Sequence, residues 1–178
     1  MILRSLLVVS LLATGLMAQA PGAEDETERL ARFKAVFVVK FAEYVSWSAE
    51  DSTGEFVIGI LGSSPIAPHL IQVAQKRLMA DRPIRVQILP DASPAQIDSV
   101  HVLVLGDETG ITIEKLGERL QDRAVLTITD APGAAKRGSC INFILVDGRL
   151  KFEVNPKAVR ATGLKMSSHL LRLATLVE

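Results

Sequence analysis

Three histidines, one cysteine and a scatter of carboxylates are the side chains here with reactive chemistry to offer. His69, His101 and His169 stand far apart, and none has a second histidine, a cysteine or a carboxylate at metal-ligand spacing. No Gly-x-Ser-x-Gly elbow, no Walker A loop and no Gly-x-Gly-x-x-Gly follows an apolar run. Asp107 and Asp130 end two such runs and are the carboxylates a hydrolase would use, but no nucleophile or base accompanies them at motif spacing. Cys140 opens the apolar run 140–146 and reads either as a small buried hydrophobe or as a reactive or dimer-linking thiol. As the lone cysteine it forms no internal disulfide. These residue types favour binding over catalysis, with no metal and no cofactor.

Three groups suit binding. Gly62-Ser63-Ser64 follows an apolar run and precedes a helical pattern, so its N–H groups either hold an anion or make only a turn and a cap. Between 149 and 155, alternation turns Leu150, Phe152 and Val154 to one side and Lys151, Glu153 and Asn155 to the other. Lys165, Ser167, Ser168 and Arg172 follow closely in sequence. Glu153, Asn155, Lys165, Ser167 and Ser168 together form either a ligand patch of carboxylate, amide, ammonium and hydroxyls or a solvated outer face. Tyr44 and Trp47, the only tyrosine and tryptophan, either anchor a partner or close the top of a core.

The elements that must position these groups follow from periodicity. Leu30, Phe33, Phe37, Phe41, Tyr44 and Val45 recur at three- and four-residue steps, which predicts an amphipathic helix with an aromatic stripe ending near Trp47. Residues 56–61 and 100–105 are apolar throughout, as in strands covered on both faces, and 84–89 and 124–129 predict two more. Helices over 66–78 and 112–120 alternate with them, which implies right-handed crossovers and a parallel sheet. Asp147-Gly148 is the dipeptide a two-residue hairpin prefers, so 140–146 and 149–154 form an antiparallel pair. Asn155-Pro156 caps and starts a helix, and Ser167 or Ser168 caps a last one whose apolar face runs to Val177. The expected fold class is α/β: a three-layer sandwich, its mostly parallel sheet of about six strands ending in an antiparallel hairpin, with helices on both faces.

Composition sets the compartment. Arg4, the apolar run 6–16 and Ala18-Gln19-Ala20 read as a signal peptide over 1–20, too short to span a bilayer. The acidic segment 21–27 reads as a flexible leader and 28–178 as one domain. Without residues 1–20 the chain carries 19 basic and 20 acidic side chains, formally −1, which gives no footprint for nucleic acid.

Several stretches together resemble the YfiR family: 33–47, 126–133, 138–143, Lys151-Phe152-Glu153-Val154-Asn155, and 163–171. The resemblance covers about residues 30–177. It implies a layered α/β domain in the periplasm that commonly forms a homodimer. It also implies a repressor that binds the periplasmic domain of an inner-membrane diguanylate cyclase, with release raising cyclic-di-GMP and favouring biofilm. A small aromatic or nucleotide-like ligand near the C-terminal motifs is implied as well, which points to Glu153, Asn155, Lys165, Ser167 and Ser168. In the type protein disulfides help set the state, and the single Cys140 departs from that pattern. The alternative is a periplasmic small-molecule binding module serving another membrane sensor, such as a histidine kinase.

Overall fold

The computed structural model describes residues 22–47 and 54–178. The signal peptide read over 1–20 lies outside the described residues. Helix α1 spans Gly22–Glu43 and leads into strand β1 (Val45–Ser46). Strand β2 (Phe56–Leu61), helix α2 (Ala67–Ala74), β3 (Leu78–Met79), β4 (Arg82–Leu89), α3 (Pro94–Ile97) and β5 (Val102–Leu105) follow. Then come α4 (Ile113–Arg119), β6 (Leu126–Thr129), β7 (Ile141–Val146), β8 (Arg149–Val154) and α5 (Pro156–Ala161). The described chain closes with β9 (Lys165–Met166), α6 (Ser168–Leu173) and β10 (Thr175–Leu176).

Eight strands form one sheet in the order β10-β8-β7-β6-β5-β2-β4-β3, and β1 pairs with β9 in a small antiparallel sheet. Strands β4, β2, β5, β6 and β7 run parallel, β8 turns back along β7, and β10 runs parallel to β8. All six residues of β2 are buried, because side chains on its two faces enter two different cores. Phe56, Ile58 and Ile60 join α1, α2, α5 and α6 on one face; Val57 and Leu61 join α3 and α4 on the other. Helices on both faces of a mostly parallel sheet make the expected α/β sandwich.

The local signals explain most boundaries. Asp147 and Gly148 have φ of +50° and +69°, the left-handed pair a type I′ turn demands. Asn155 caps α5 by accepting the Ala158 N–H at 3.0 Å, Thr112 caps α4, and Ser167 caps α6.

Four boundaries differ from the sequence reading. Helix α1 begins at Gly22, inside the segment read as a leader, and acidic residues such as Glu26 near its start suit the helix dipole. Helix α2 starts at Ala67, one residue past the expected 66, and it ends at Ala74 rather than at 78. The chain then forms β3 and reverses through Ala80 and Asp81, both at positive φ, into β4. Ala-Asp is a weak signal for such a turn, so the helical pattern read on to 78 hides it. The last helix stops at Leu173, and Thr175 and Leu176 extend alongside Glu153 and Val154.

The aromatic stripe of α1 faces the core only at Phe41. Buried positions are Ala31, Ala35, Val38, Val39 and Ala42, a second stripe of small residues that lets the helix approach the sheet and α2 closely. Of the large residues only Phe41 is buried; Phe33 is 53% exposed and Phe37 40%.

Candidate partner-binding surface

The open aromatic stripe continues into a seam between α1 and the β7–β8 hairpin. Phe37 lies 5.7 Å from Phe41, whose ring sits 4.7 Å from Phe152 and 5.5 Å from Phe143, all tilted pairs. A small cleft of about 140 Å³ at this seam is lined by Phe37, Phe143, Leu150, Lys151, Phe152 and Leu173. Leu173 of α6 is 63% exposed. Lys34 reaches across to Asp130 and lies 6.0 Å from the centre of the Phe143 ring, fixing one rim of the seam. Exposed apolar side chains of this size gathered at one place are the kind of surface that binding partners cover.

The candidate residues read from the sequence divide into separate groups. Tyr44 stacks on His169 with ring centres 5.5 Å apart, and the Ser167 N–H donates to the Tyr44 carbonyl at 2.8 Å. Pairing of β1 with β9 puts Ser46 opposite Lys165. Tyr44, Lys165, Ser167 and Ser168 therefore share one corner. Ser167 spends its hydroxyl oxygen on the His169 N–H at 3.2 Å. Glu153 lies elsewhere, on the sheet's second face, where it accepts from Asn142 Nδ2 at 3.0 Å. Asn155 is buried; its oxygen caps α5 and its Nδ2 donates to the Ala135 carbonyl at 2.8 Å. Trp47 turns inward, donates its indole N–H to the Ala124 carbonyl at 2.9 Å and meets Phe56 edge-on at 5.1 Å.

The Gly62-Ser63-Ser64 turn is filled by the chain itself. Ser63 N–H donates to Asp107 O at 2.9 Å, and Asp107 N–H returns to Ser63 O at 2.7 Å. Those N–H groups are no longer free for an anion. His101 is a satisfied strand-end residue: its Nδ1 accepts the Val57 N–H at 3.1 Å and its ring stacks on Phe56 at 4.6 Å. Cys140 is buried against Thr127 and Thr162, and burial pushes its thiol above the ordinary value of 9.0. Among the described residues no group of three His, Cys, Asp or Glu side chains is placed to hold a metal ion. Nor is any described helix long and apolar enough to cross a membrane.

A family model described as YfiR/HmsC-like matches residues 31–175, from the buried stripe of α1 to the start of β10. The chain belongs to the YfiR/HmsC-like family. No curated protein matches it. Among solved structures, the ABC domain in complex with L-Trp from Streptococcus pneumonia aligns with a TM-score of 0.52 at 12% identity. That alignment covers 80% of this chain and 60% of the other, and at such identity the likeness is one of fold. The match of this YfiR/HmsC-like chain takes in the whole aromatic seam, since Phe33, Phe37, Phe152 and Leu173 all fall inside it. The sequence does carry a signal for the exposed side. Ala31, Ala35, Val38, Val39 and Ala42 form a complete apolar stripe of their own, so one of two stripes had to face water.

Proposed function

We propose that this protein is a periplasmic regulator that holds the periplasmic domain of an inner-membrane diguanylate cyclase in an inactive conformation. Membership in the YfiR/HmsC-like family supports a role in diguanylate cyclase signalling. The observation that carries the reading is the exposed stripe of Phe33 and Phe37 beside Leu173, which the core does not use. Rigid aromatic anchors of this kind dominate protein interfaces. Repression is then a population shift: the seam grips one conformation of the cyclase more tightly than the other. The working unit in this reading is a homodimer, and the protein acts by binding, without turnover.

The test places a photoreactive amino acid at Phe33 in intact cells. Its expected product is a covalent adduct with a membrane protein bearing a cytoplasmic cyclase domain. Recovery of adducts to membrane proteins of other classes alone would overturn the reading. The alternative is a small-molecule module serving another sensor such as a histidine kinase. At the seam itself the cleft of 140 Å³ is well below the ~300 Å³ at which drug-sized ligand sites begin, so this surface suits a protein partner.

A further inference from the structure

A cleft of about 310 Å³ opens beside β6 where α4, the turn segment 131–139 and α5 meet. Its floor includes Thr127 and Thr162, both buried, and Thr127 Oγ1 accepts the Cys140 N–H at 2.8 Å. Leu120, Ala158 and Ala161 supply apolar wall. Three cations, Lys136, Arg137 and Lys157, stand around the mouth. Glu114 lies 3.5 Å from the Arg137 guanidinium, but Lys136 and Lys157 have no acidic partner among the described residues. One residue at the mouth is acidic, Glu178.

Gly117 adds an independent observation. It sits in the middle of α4, where glycine costs about 1 kcal/mol relative to alanine. Its φ is ordinary, and a Cβ built there would meet only the Gly138 carbonyl, at an unstrained 4.0 Å. Neither backbone conformation nor packing asks for glycine. What the missing side chain does is keep the cleft clear, since Gly117 lines it opposite Gly138.

We propose that this cleft binds a small organic anion, a phosphate or carboxylate on a compact apolar body, held by Lys136 and Lys157 above Thr127 and Thr162. The volume sits at the low end for ligand sites, roughly 300–1,000 Å³, so the body is a single ring or a short chain. The anion takes the place of water around two ammonium groups that the fold brings to one opening. This site is separate from the aromatic seam, and its occupancy is measurable whether or not a cyclase is the partner.

The probes are phenyl phosphate, benzoate and neutral benzyl alcohol, titrated calorimetrically into the full chain. Phenyl phosphate or benzoate binds saturably at about 1 mM or tighter, and benzyl alcohol does not. The stronger of the two anions decides between phosphate and carboxylate. In Lys136→Ala/Lys157→Ala affinity falls at least about tenfold, the signature of lost charge-assisted contacts. Gly117→Leu fills the cleft: it abolishes binding while Tm stays level or rises, because a good helix former replaces glycine. No saturable binding, equal binding of the alcohol, or anion binding undiminished in Gly117→Leu would overturn the proposal.

Discussion

Gly62 and Gly106 face one another across the carboxyl ends of β2 and β5, each closed against the other's turn. A Cβ on Gly106 would lie 2.0 Å from the Ser63 carbonyl oxygen, and one on Gly62 would lie 2.1 Å from that of Asp107. In an open parallel sheet this is where a ligand crevice is expected, between neighbouring strands whose connections depart in opposite directions. Here the reciprocal hydrogen bonds of Ser63 and Asp107 seal it. Binding work is thereby displaced to other faces of the molecule.

Substitution Gly106→Ala should therefore be costly for steric reasons alone. Gly106 has an ordinary φ, so the penalty is the forced separation of two backbone segments, on the order of 2–3 kcal/mol by the scale of overpacking. Gly110→Ala is the control. It has φ of +67° with nothing within 4 Å, so only conformational strain of about 1 kcal/mol applies. Urea unfolding of the two variants should rank them in that order; equal losses would mean the seal yields easily.

Trp47 offers a second measurement. Its indole N–H satisfies the carbonyl of Ala124, a residue at φ +54° whose own N–H donates to Thr162 O at 2.8 Å. Phenylalanine keeps the ring against Phe56 but removes the donor. Trp47→Phe should lower stability by about 1 kcal/mol, the usual net cost of one lost hydrogen bond, followed by circular dichroism. A loss below about 0.3 kcal/mol would show that water replaces the indole without cost.

Much of this architecture is legible in the chain because local and global signals agree. Phe56–Leu61 is apolar on every residue and is buried on every residue. Asp147-Gly148 turns where its dipeptide says it must, and Asn155-Pro156 starts α5. What stays hidden has physical causes. Strands β1, β9 and β10 are two residues each, too short to show a period, and yet β1 against β9 is what brings Tyr44 to Ser167. The faces of α1 carry two apolar stripes of similar period, so periodicity alone does not tell which one packs. Glu153 and Asn155 are neighbours in sequence whose side chains serve different tasks, one pairing with Asn142 and the other capping a helix.

The buried thiol gives a pH signature. Desolvation raises the Cys140 thiol above its ordinary 9.0, so in the folded state it stays protonated where the unfolded thiol ionises. Below pH 9 both states hold the proton and the residue is neutral to stability. Above pH 9 the unfolded chain releases it first, and stability falls by at most about 1.4 kcal/mol per pH unit until the folded thiol also titrates. Cys140→Ala removes that slope. The difference between the two proteins, measured by urea unfolding from pH 8 to 10.5, should be flat at first and then narrow in favour of the variant. A constant difference throughout would show that the thiol ionises equally in both states.

The two stripes of α1 allow an exchange test of which face meets a partner. Phe33 is more than half exposed, so Phe33→Glu should change folding stability by no more than about 0.5 kcal/mol. Ala35, two residues on, is fully buried between α1 and the sheet; Ala35→Leu overpacks it and should cost about 1–3 kcal/mol. Partner capture from membranes should show the opposite ranking. Phe33→Glu places a charge on the exposed stripe one turn before Phe37, and burying an unpaired carboxylate at an interface is far costlier than leaving it in water. Ala35→Leu, assayed where it remains folded, leaves that surface chemically unchanged. A Phe33→Glu protein that is stable and still captures the membrane protein at wild-type yield would move the interface off this helix, because no other change to Phe33 challenges the contact so directly.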